Sequence, residues 1–341
     1  MEDLQQRPKV IAEVSGNHNG SIERALEIVK ASASAGAHYL KLQTYTADTM
    51  TLNVRNTTFS VDENHPLWGG QNLHDLYSVA YTPWEWHAQI FDYAKKLGMT
   101  PFSTPFDESA LEFLESLSVV MYKVASLEII DLPLIKQIAQ TGKPMIISTG
   151  TATLSEVARA TEAAREAGCK DLTLLVCTSS YPADPKSANL RRLSILKNAF
   201  NVKIGISDHT IGSAVSIAAV ALGAELIERH VTLRREDGGV DSAFSMEPAE
   251  LQKLISDVDD AYDSLGSTDS WRTAEEAESV RLRPSLYFTN DLVEGDQITV
   301  DDVRSVRPSG GLAPEYVDII IGRTVKVNVK YGDPVTFDNA F

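Results

Sequence analysis

The stretch VIAEVSGNHNGSIERALEIVKASASAGAHYLKLQT, residues 10–44, holds two short apolar runs on either side of a segment with helical periodicity. The runs VIAEVS (10–15) and YLKLQT (39–44) have the composition and length of strands. Between them, Ser21 is placed to cap a helix and Gly36 to end it. Apolar residues recur on one face of that helix, at Ile22, Ala25, Leu26 and Val29. The order strand, helix, strand predicts a parallel βαβ unit.

The same pattern continues along the chain. Six further strands are predicted at TPFSTP (100–105), MYKVAS (121–126), PMIIST (144–149), LTLLVC (172–177), VKIGIS (202–207) and LIERHV (226–231). Helical segments separate most of them, and one opens with a capping signature at Thr153–Glu156. Eight such strands predict an α/β fold of the (β/α)8 TIM-barrel type over residues 1–266. A doubly wound open sheet is the alternative, but no Gly-x-Gly-x-x-Gly turn follows any strand.

Two regions interrupt this alternation. Residues 45–82 form a long connection after the second strand, and long loops inside compact domains are usually functional. Residues 267–283 are polar and predict a linker. Residues 284–341 are rich in Val, Thr, Ile and turn pairs, which predicts a separate small β-rich domain.

Composition and charge exclude several classes of partner. The chain has 341 residues with 47 acidic and 31 basic side chains, a formal net charge of −16. Nucleic acids and anionic membranes need dense Lys and Arg, so neither is expected as a partner. The sequence lacks the ~18–20 consecutive apolar residues of a membrane span and a signal segment at its start. Two cysteines, Cys169 and Cys177, fit a reducing compartment, so we predict a cytoplasmic protein.

Polar side chains accumulate at the carboxyl ends of the predicted strands, where a barrel carries its chemistry. They include Glu13, Lys41, Thr104, Lys123, Ser126, Ser148, Ser207, Asp208, His209, Glu228 and His230. Buried strands are normally apolar, so this concentration predicts an active site. Two lysines with several hydroxyls can enclose a phosphate or a carboxylate. The alternative is that each lysine pairs with a strand carboxylate such as Glu13.

Two histidines follow neighbouring strands. His209 and His230 can converge on one divalent cation, such as Mn²⁺, Zn²⁺ or Fe²⁺. Asp208 is expected either to orient His209 as a hydrogen-bond acceptor or to cap the helix near Gly212. His18 is a further candidate to line the site, whereas His38 is expected to be structural.

The aromatic segment at 67–87 has two interpretations. Trp84 and Trp86 are predicted to be core residues at a helix start, with Pro83 in the first turn. The loop at 68–77 is predicted to cover a sugar-sized pocket, with Asn72 as its candidate sugar contact.

These motifs together resemble the sialic acid synthase family. The resemblance rests on IAEVSGNHNGS, KLQTYT, FSTPFD, YKVAS, PMIISTG, CTSSYP, GISDHT and ERHVTL, in this order along nearly the whole barrel. The segment SLYFTNDLVEGDQITVDDVRSVRPSGGL resembles the antifreeze-protein-like (SAF) domain of that family. KLQTYTADTMTL, LWGG…LYSVAYTPWEWH and SVRPSGGL are most similar to its pseudaminic acid branch.

The resemblance implies an enzyme that joins phosphoenolpyruvate to an N-acetylated sugar and releases phosphate. In the pseudaminic branch the sugar is 2,4-diacetamido-2,4,6-trideoxy-L-altropyranose. His209 and His230 would hold a divalent metal, Mn²⁺ or Mg²⁺. Phosphoenolpyruvate would contact Lys41, Thr104, Lys123, Ser126, Ser148, Ser179 and Ser207. Glu13, Tyr181 and Asp241 would face the sugar.

The resemblance also implies a domain-swapped homodimer, in which Arg307 enters the barrel of the partner. It leaves open whether Glu13 or the metal site supplies the base. Two alternatives are N-acetylneuraminate or legionaminic acid synthesis and a catalytically silent sugar-binding barrel. Ser179 replaces an Asn of the neuraminate branch.

Overall fold

The structure is a computed structural model that describes residues 6–267 and 271–340. The chain divides into two compact units, Met1–Gly266 and Ser267–Phe341. Part of the predicted linker, residues 268–270, lies outside the described residues. No helix within the described ranges is long and apolar enough to cross a membrane.

The first unit is a closed barrel of eight parallel strands in sequential order. They are β1 (Lys9–Glu13), β2 (Tyr39–Thr44), β3 (Thr100–Pro105), β4 (Tyr122–Val124), β5 (Met145–Ser148), β6 (Leu172–Cys177), β7 (Lys203–Ser207) and β8 (Leu226–His230). The barrel closes because β1 pairs with both β2 and β8. The predicted (β/α)8 architecture is therefore confirmed.

Helices surround the strands. They are α1 (Ile22–Ser34), α2 (Ala47–Met50), α3 (Leu73–Ala80), α4 (His87–Lys96), α5 (Glu108–Ser116), α6 (Leu132–Gln140), α7 (Leu154–Glu166), α8 (Arg192–Phe200), α9 (Ala214–Ala221) and α10 (Pro248–Ser264). The predicted caps are present: Ser21 accepts from the Arg24 amide at 3.2 Å, and Thr153 and Glu156 form a capping box. The connection at 45–82 is not a plain loop, because it contains α2 and α3.

Apolar residues fill the barrel interior on the side of the amino ends of the strands. Ile11, Phe102, Ile146 and Leu175 are buried there, and the partly buried Tyr39, Met121 and Leu226 pack against them. Because strand side chains alternate with period two, the residue two positions later faces the same interior. Those residues are Glu13, Thr104, Ser148, Cys177, Lys41, Lys123 and Glu228. The apolar layer thus supports a polar layer at the carboxyl ends of the strands.

A glycine completes the apolar layer. A Cβ on Gly205 of β7 would lie 2.6 Å from a methyl group of Leu175 and closer still to the carbonyl of Leu226. The interior has no room for a side chain at this position. Two residues later, Ser207 joins the polar layer.

The second unit has its own core and a small antiparallel sheet. Strands β9 (Ser285–Phe288) and β10 (Val303–Val306) pair, and isolated bridges such as Leu292 to Val329 extend the pairing. Within residues 271–340 three one-turn helices accompany them: α11 (Ala277–Val280), α12 (Val317–Ile320) and α13 (Phe337–Ala340). The core contains Leu286, Phe288, Ile298, Val303, Ile320, Val325, Val329, Val335 and Ala340.

Candidate active site

A cavity of about 960 Å³ opens above the polar layer of the barrel. All eight strands contribute to a set that we call the cavity floor: Glu13, Lys41, Thr104, Lys123, Ser148, Cys177, Ser207 and Glu228. Ser126, Tyr181, His209, His230 and Asp241 also line the cavity. The structure thus brings most of the predicted site residues together, because strand-end residues of a closed barrel converge on one point.

The lysines of the floor pair with strand carboxylates. The Nζ of Lys41 contacts the Glu13 carboxylate and lies 3.5 Å from Oε2 of Glu228. The Nζ of Lys123 lies 3.9 Å from Oε1 of Glu228 and donates to the carbonyl of Val124 at 3.0 Å. The alternative interpretation of the lysines, pairing with Glu13, is therefore the arrangement found for Lys41. The pairs leave both ammonium groups at the cavity, so an anion can still approach them.

Burial and neighbouring charges shift the pKa values of these groups in opposite directions. Burial acts to raise the pKa of Glu228, but Lys123, Lys41 and the Ser207 hydroxyl lower it to about 2. Burial acts to lower the pKa of Lys41, yet Glu13 and Glu228 raise it above the ordinary value. For Lys123 burial prevails and its pKa is lowered. Of the two cations, Lys123 is the one held less firmly in its charged form.

Hydroxyl groups complete the anion-binding side. Ser207 donates to Oε1 of Glu228 at 2.8 Å, and Thr104 accepts from Lys41 at 3.3 Å. Ser148 is buried, and its hydroxyl has no hydrogen-bond partner among the described residues. Such a group is costly unless a ligand or water satisfies it.

Gly150 allows two more hydroxyls to approach. A Cβ at Gly150 would lie 2.7 Å from the Ser126 hydroxyl and closer still to that of Ser179. Ser179 itself is partly buried and does not line the cavity, although it lies 3.8 Å from the sulfur of Cys177. The structure therefore places Ser179 beside the site rather than on its surface.

The two histidines lie side by side at one edge of the floor. Their ring centroids are 5.1 Å apart, and both side chains are buried. Nδ1 of His209 is 3.2 Å from the carbonyl of Thr178, which leaves Nε2 for a ligand. Nδ1 of His230 is buried without a hydrogen-bond partner among the described residues.

This donor set fits a metal with few protein ligands. Across residues 6–267 and 271–340, no group of three or more His, Cys, Asp or Glu side chains is arranged to hold a metal ion. Two imidazoles, one with an unsatisfied buried nitrogen, fit a divalent cation that keeps open positions for substrate and water.

A thiol lies next to His209. The sulfur of Cys177 is 3.9 Å from Nδ1 of His209. Burial acts to raise the pKa of Cys177, but its hydrogen bond to His209 and the charges nearby lower it to about 7. Burial likewise acts to lower the pKa of His209, and Cys177 raises it.

Acidic and aromatic residues border the histidines. Asp241 accepts from the Ser15 hydroxyl, and its Oδ2 lies 3.7 Å from Nδ1 of His230. Burial raises the pKa of Asp241 to about 6, although Ser15 acts against that shift. The ring of Tyr181 lies 4.7 Å from that of His209.

Residues 57–81, which we call the lid, border the cavity and include the loop 68–77 that was predicted to cover it. Trp68 donates its indole N–H to the carbonyl of Val240 at 3.0 Å, stacks on His65 and contacts Tyr181. The lid contributes a largely apolar wall: Val61, His65, Trp68, Leu73, Leu76, Tyr77 and Ala80.

Three expectations about this region are corrected. Asn72 does not line the cavity, because its amide caps α3 and donates to the carbonyls of Val54 and Phe59. His18 is buried against Trp86 rather than facing the cavity. Asp208 does not accept from His209; it faces Arg229, Thr210 and Ser216.

Other expectations agree with the structure or fall in the second unit. Trp86 packs on the hydrophobic core and Trp84 stacks on Phe113, as predicted. His38 is structural, since its Nδ1 accepts from the Val10 amide. Arg307 is exposed and lies directly after β10.

The sequence analysis did not name Glu128, an acidic residue that lines the cavity, whereas Glu228 on β8 was among the strand-end residues that predicted the site. Glu128 follows Ser126 by two positions, and burial raises its pKa. No strand pattern covers Glu128, because it lies in a 3₁₀ turn at Leu127–Ile130.

The chain is similar to known proteins along nearly its whole length. The NeuB family matches residues 28–270, and the SAF domain matches residues 283–340. A pseudaminic acid synthase of Helicobacter pylori is 40% identical over 98% of each chain. An N,N'-diacetyllegionaminic acid synthase of Legionella pneumophila is 34% identical over 97% of this chain and 94% of its own.

A solved structure shows the same fold. The N-acetylneuraminic acid (sialic acid) synthetase of Leptospira borgpetersenii superimposes with a TM-score of 0.71 at 31% identity. The match covers 80% of this chain and 90% of that one.

Proposed function

This chain belongs to the NeuB family, and we propose that it is a transferase that makes pseudaminic acid. It would condense phosphoenolpyruvate with 2,4-diacetamido-2,4,6-trideoxy-L-altropyranose and water, and release phosphate. The vinyl carbon of phosphoenolpyruvate bonds to the sugar carbonyl carbon, whose oxygen gains a proton. Water adds to C2 of the phosphoenolpyruvate part and forms a tetrahedral intermediate. The bond between C2 and the oxygen that bridges it to phosphorus then breaks, and phosphate leaves.

The observation that carries this proposal is the pair of buried lysines in the cavity floor. Lys41 and Lys123 are 3% and 2% exposed and are separated by Glu228. Phosphoenolpyruvate carries a phosphate and a carboxylate, so two cations with surrounding hydroxyl donors match its charge. Thr104, Ser126 and Ser148 supply such donors around them, and Ser207 would join them when an anion replaces Glu228 as its acceptor. We assign Ser179 to the same anion site because its hydroxyl, like that of Ser126, lies against Gly150 at the end of β5.

The sugar would lie between the lid and the histidine edge. Glu13, Tyr181 and Asp241 offer polar contacts there, and the lid wall offers apolar contacts to methyl groups. This partition of the cavity fits a sugar that bears acetamido groups and a deoxy carbon. The sugar's stereochemistry is proposed from the similarity to pseudaminic acid synthases of H. pylori and Campylobacter jejuni.

His209 and His230 would hold a divalent metal, Mn²⁺ or Mg²⁺. When bound, such an ion withdraws electron density from the sugar carbonyl and stabilises the charge that develops on its oxygen. Burial lowers the pKa of His230 well below its ordinary value, so its imidazole is neutral, as binding of a cation requires.

Glu13 is the residue placed to handle a proton. Its Oε1 accepts from Gln43 at 2.7 Å, while its other oxygen contacts Lys41 and lies 3.9 Å from Nε2 of His230. The carboxylate therefore borders both the anion site and the histidine edge. We propose that it takes the proton of the attacking water.

We further propose a homodimer in which the partner subunit's Arg307 adds a cation to the site. The exposure of Arg307 and the SAF match over 283–340 support this assignment. Size measurement in solution and the mixing of an Arg307→Ala chain with a Lys123→Ala chain test it, because complementary subunits would restore activity. The cytoplasmic location also stays a prediction from the sequence.

A substrate panel tests the proposed function directly. The purified chain is incubated with phosphoenolpyruvate, Mn²⁺ and one sugar at a time, and phosphate release is followed. We expect the 6-deoxy diacetamido altrose isomer to give the highest kcat/KM. Higher turnover of the diacetamido mannose isomer would reassign the chain to legionaminic acid, an activity carried by the L. pneumophila relative. If no acetamido sugar gives phosphate release, the proposed synthase activity is wrong, and a catalytically silent sugar-binding barrel is the remaining alternative.

A further inference from the structure

We propose that the buried ion pair of Asp208 and Arg229 is a positioning device that fixes His209 relative to His230. The inference rests on the proposed function in assigning the two histidines to a metal. We call Asp208, Thr210 and Arg229 the histidine clamp.

The two members of the pair directly precede the two histidines in the chain. Strands β7 and β8 are paired in register up to Ser207 and Glu228. The next residues, Asp208 and Arg229, form the ion pair, and the ring centroids of His209 and His230 are 5.1 Å apart. The Asp208 amide continues this pairing by donating to the carbonyl of Glu228 at 3.0 Å. The contact between Asp208 and Arg229 therefore lies directly beside that between His209 and His230, so it can fix the distance between the two histidines.

The pair lies on the outer face of the barrel, opposite to the cavity. Ser207 and His209 line the cavity, so the alternation of side chains turns Asp208 toward the helices. There Oδ2 of Asp208 accepts from Ser216 of α9 at 2.6 Å and lies 2.6 Å from Nη1 of Arg229. Both charged side chains are only 1% exposed. A substitution here would leave the cavity lining itself unchanged.

Both members of the pair also hold Thr210. Oδ1 of Asp208 accepts from the amide and the hydroxyl of Thr210, at 2.9 and 2.7 Å. Nη2 of Arg229 donates to the Thr210 carbonyl at 2.7 Å. His209 therefore lies between Asp208, which contacts both β8 and α9, and Thr210, which is bonded to Asp208 and to Arg229 of β8. A shift of the His209 backbone would disturb these contacts.

Stability alone accounts poorly for this arrangement. A buried ion pair loses hydration that its Coulomb attraction often fails to offset, and apolar replacements can be as stable. Arg229 is also incompletely satisfied: Nε and Nη1 lack an aligned hydrogen-bond partner among the described residues, so its contact with Asp208 is mainly electrostatic. A role in geometry explains why such a contact lies beside the two histidines. Loss of a group that hydrogen-bonds to a metal-binding histidine typically changes metal affinity 10–100-fold. We expect an effect at the lower end of that range from residues that hold the histidine through its backbone.

Three variants of the full chain test the clamp: Asp208→Asn, Arg229→Met and the double variant. Mn²⁺ affinity is measured by the electron paramagnetic resonance of free Mn²⁺, and phosphoenolpyruvate affinity by calorimetry without metal. We expect Mn²⁺ binding to weaken about 10-fold or more in each single variant. Phosphoenolpyruvate affinity should change less than about 2-fold. The double variant should bind Mn²⁺ no more weakly than the weaker of the two single variants, because both single substitutions remove the same contact.

A second ion pair on β7 provides the matched control. Lys203 at the other end of that strand contacts Asp171 at 3.0 Å, and both are about half exposed. Lys203→Met should leave Mn²⁺ affinity unchanged. Arg229→Lys keeps the charge but loses the forked geometry, so it should give a partial effect.

A metal-free measurement separates this inference from the proposed function. Histidine-labelled protein gives ring ¹H–¹⁵N signals for His209 and His230, with His38 and His87 as internal references. In Asp208→Asn the first two signals should shift or broaden while the references stay fixed. Wild-type protein that binds no Mn²⁺ would defeat the metal assignment, and the ring signals would still decide the clamp. Unchanged ring signals in a folded Asp208→Asn variant, or a parallel loss of phosphoenolpyruvate affinity, would overturn it.

Discussion

The ammonium group of Lys123 lies 3.9 Å from a carboxylate oxygen of Glu228, and both side chains are almost completely buried. Burial lowers the pKa of Lys123 in spite of Glu228, so this cation gains most from an added anion. A ligand that carries negative charge would therefore stabilise the charged form of Lys123.

Replacing Lys123 tests the anion site. Lys123→Met keeps the length of the side chain and leaves Glu228 without one of its two cations. We expect phosphoenolpyruvate affinity to fall at least 100-fold, about 3 kcal/mol, as measured by calorimetry. Lys143→Met is the control, because Lys143 pairs with Glu115 outside the cavity. Equal affinities in the two variants would contradict the assignment.

Glu13→Gln separates proton transfer from binding. The change preserves shape but removes the negative charge against Lys41, so phosphoenolpyruvate should bind as tightly as before or tighter. Its kcat should fall about 10²–10⁴-fold if Glu13 acts on the attacking water. Steady-state phosphate release together with calorimetry checks both parts. A variant with full kcat would move the base elsewhere.

Gly150→Ala tests the serine pair beside β5. The new methyl group would displace the hydroxyls of Ser126 and Ser179, which cannot both keep their present positions. We expect the KM for phosphoenolpyruvate to rise about 10-fold while the KM for the sugar changes little. Gly142→Ala provides a control outside the cavity, although its positive φ of 72° adds local backbone strain. Initial rates at varied concentrations of each substrate distinguish the outcomes.

Trp68 tests the lid. Trp68→Ala removes the contacts with His65 and Tyr181 and the hydrogen bond to Val240. The KM for the sugar should rise about 10-fold, and metal-free binding of phosphoenolpyruvate should persist. Trp68→Phe keeps an aromatic ring but not the N–H donor, so its effect should be smaller. A rise in both substrates' constants would point to a general collapse of the cavity instead.

His87 predicts how stability depends on pH. Burial lowers the pKa of His87 to about 4, from 6.5 for the free side chain. Between these values the unfolded chain binds more protons at this site than the native chain, so stability falls as pH drops from 6.5 toward 4. The loss reaches about 3 kcal/mol and is absent above pH 6.5. Urea unfolding at several pH values should give a shallower slope for His87→Gln; an unchanged slope would exclude His87 as a cause.

Much of the site was predictable because the barrel imposes a rule. Residues at the carboxyl ends of parallel strands meet, so Glu13, Lys41 and His230 could be placed together without coordinates. The rule does not reach residues in turns and lids. Asn72 was mistaken for a sugar contact because its amide serves the cap of α3, a partner that only the folded lid provides. Glu128 was missed because a 3₁₀ turn has no periodicity that extends over several residues.

The sequence by itself determined the barrel and the composition of its polar layer, since both follow from local patterns. Period-two alternation places Met121 under Lys123 and Leu226 under Glu228 whatever the rest of the chain does. The tertiary structure alone decided the pairing: Lys41 against Glu13, and Asp208 against Arg229 rather than His209. The partners of each pair come from different strands. The free energy of their interaction depends on the distance between the charges and on their burial, and both are set only when the barrel closes.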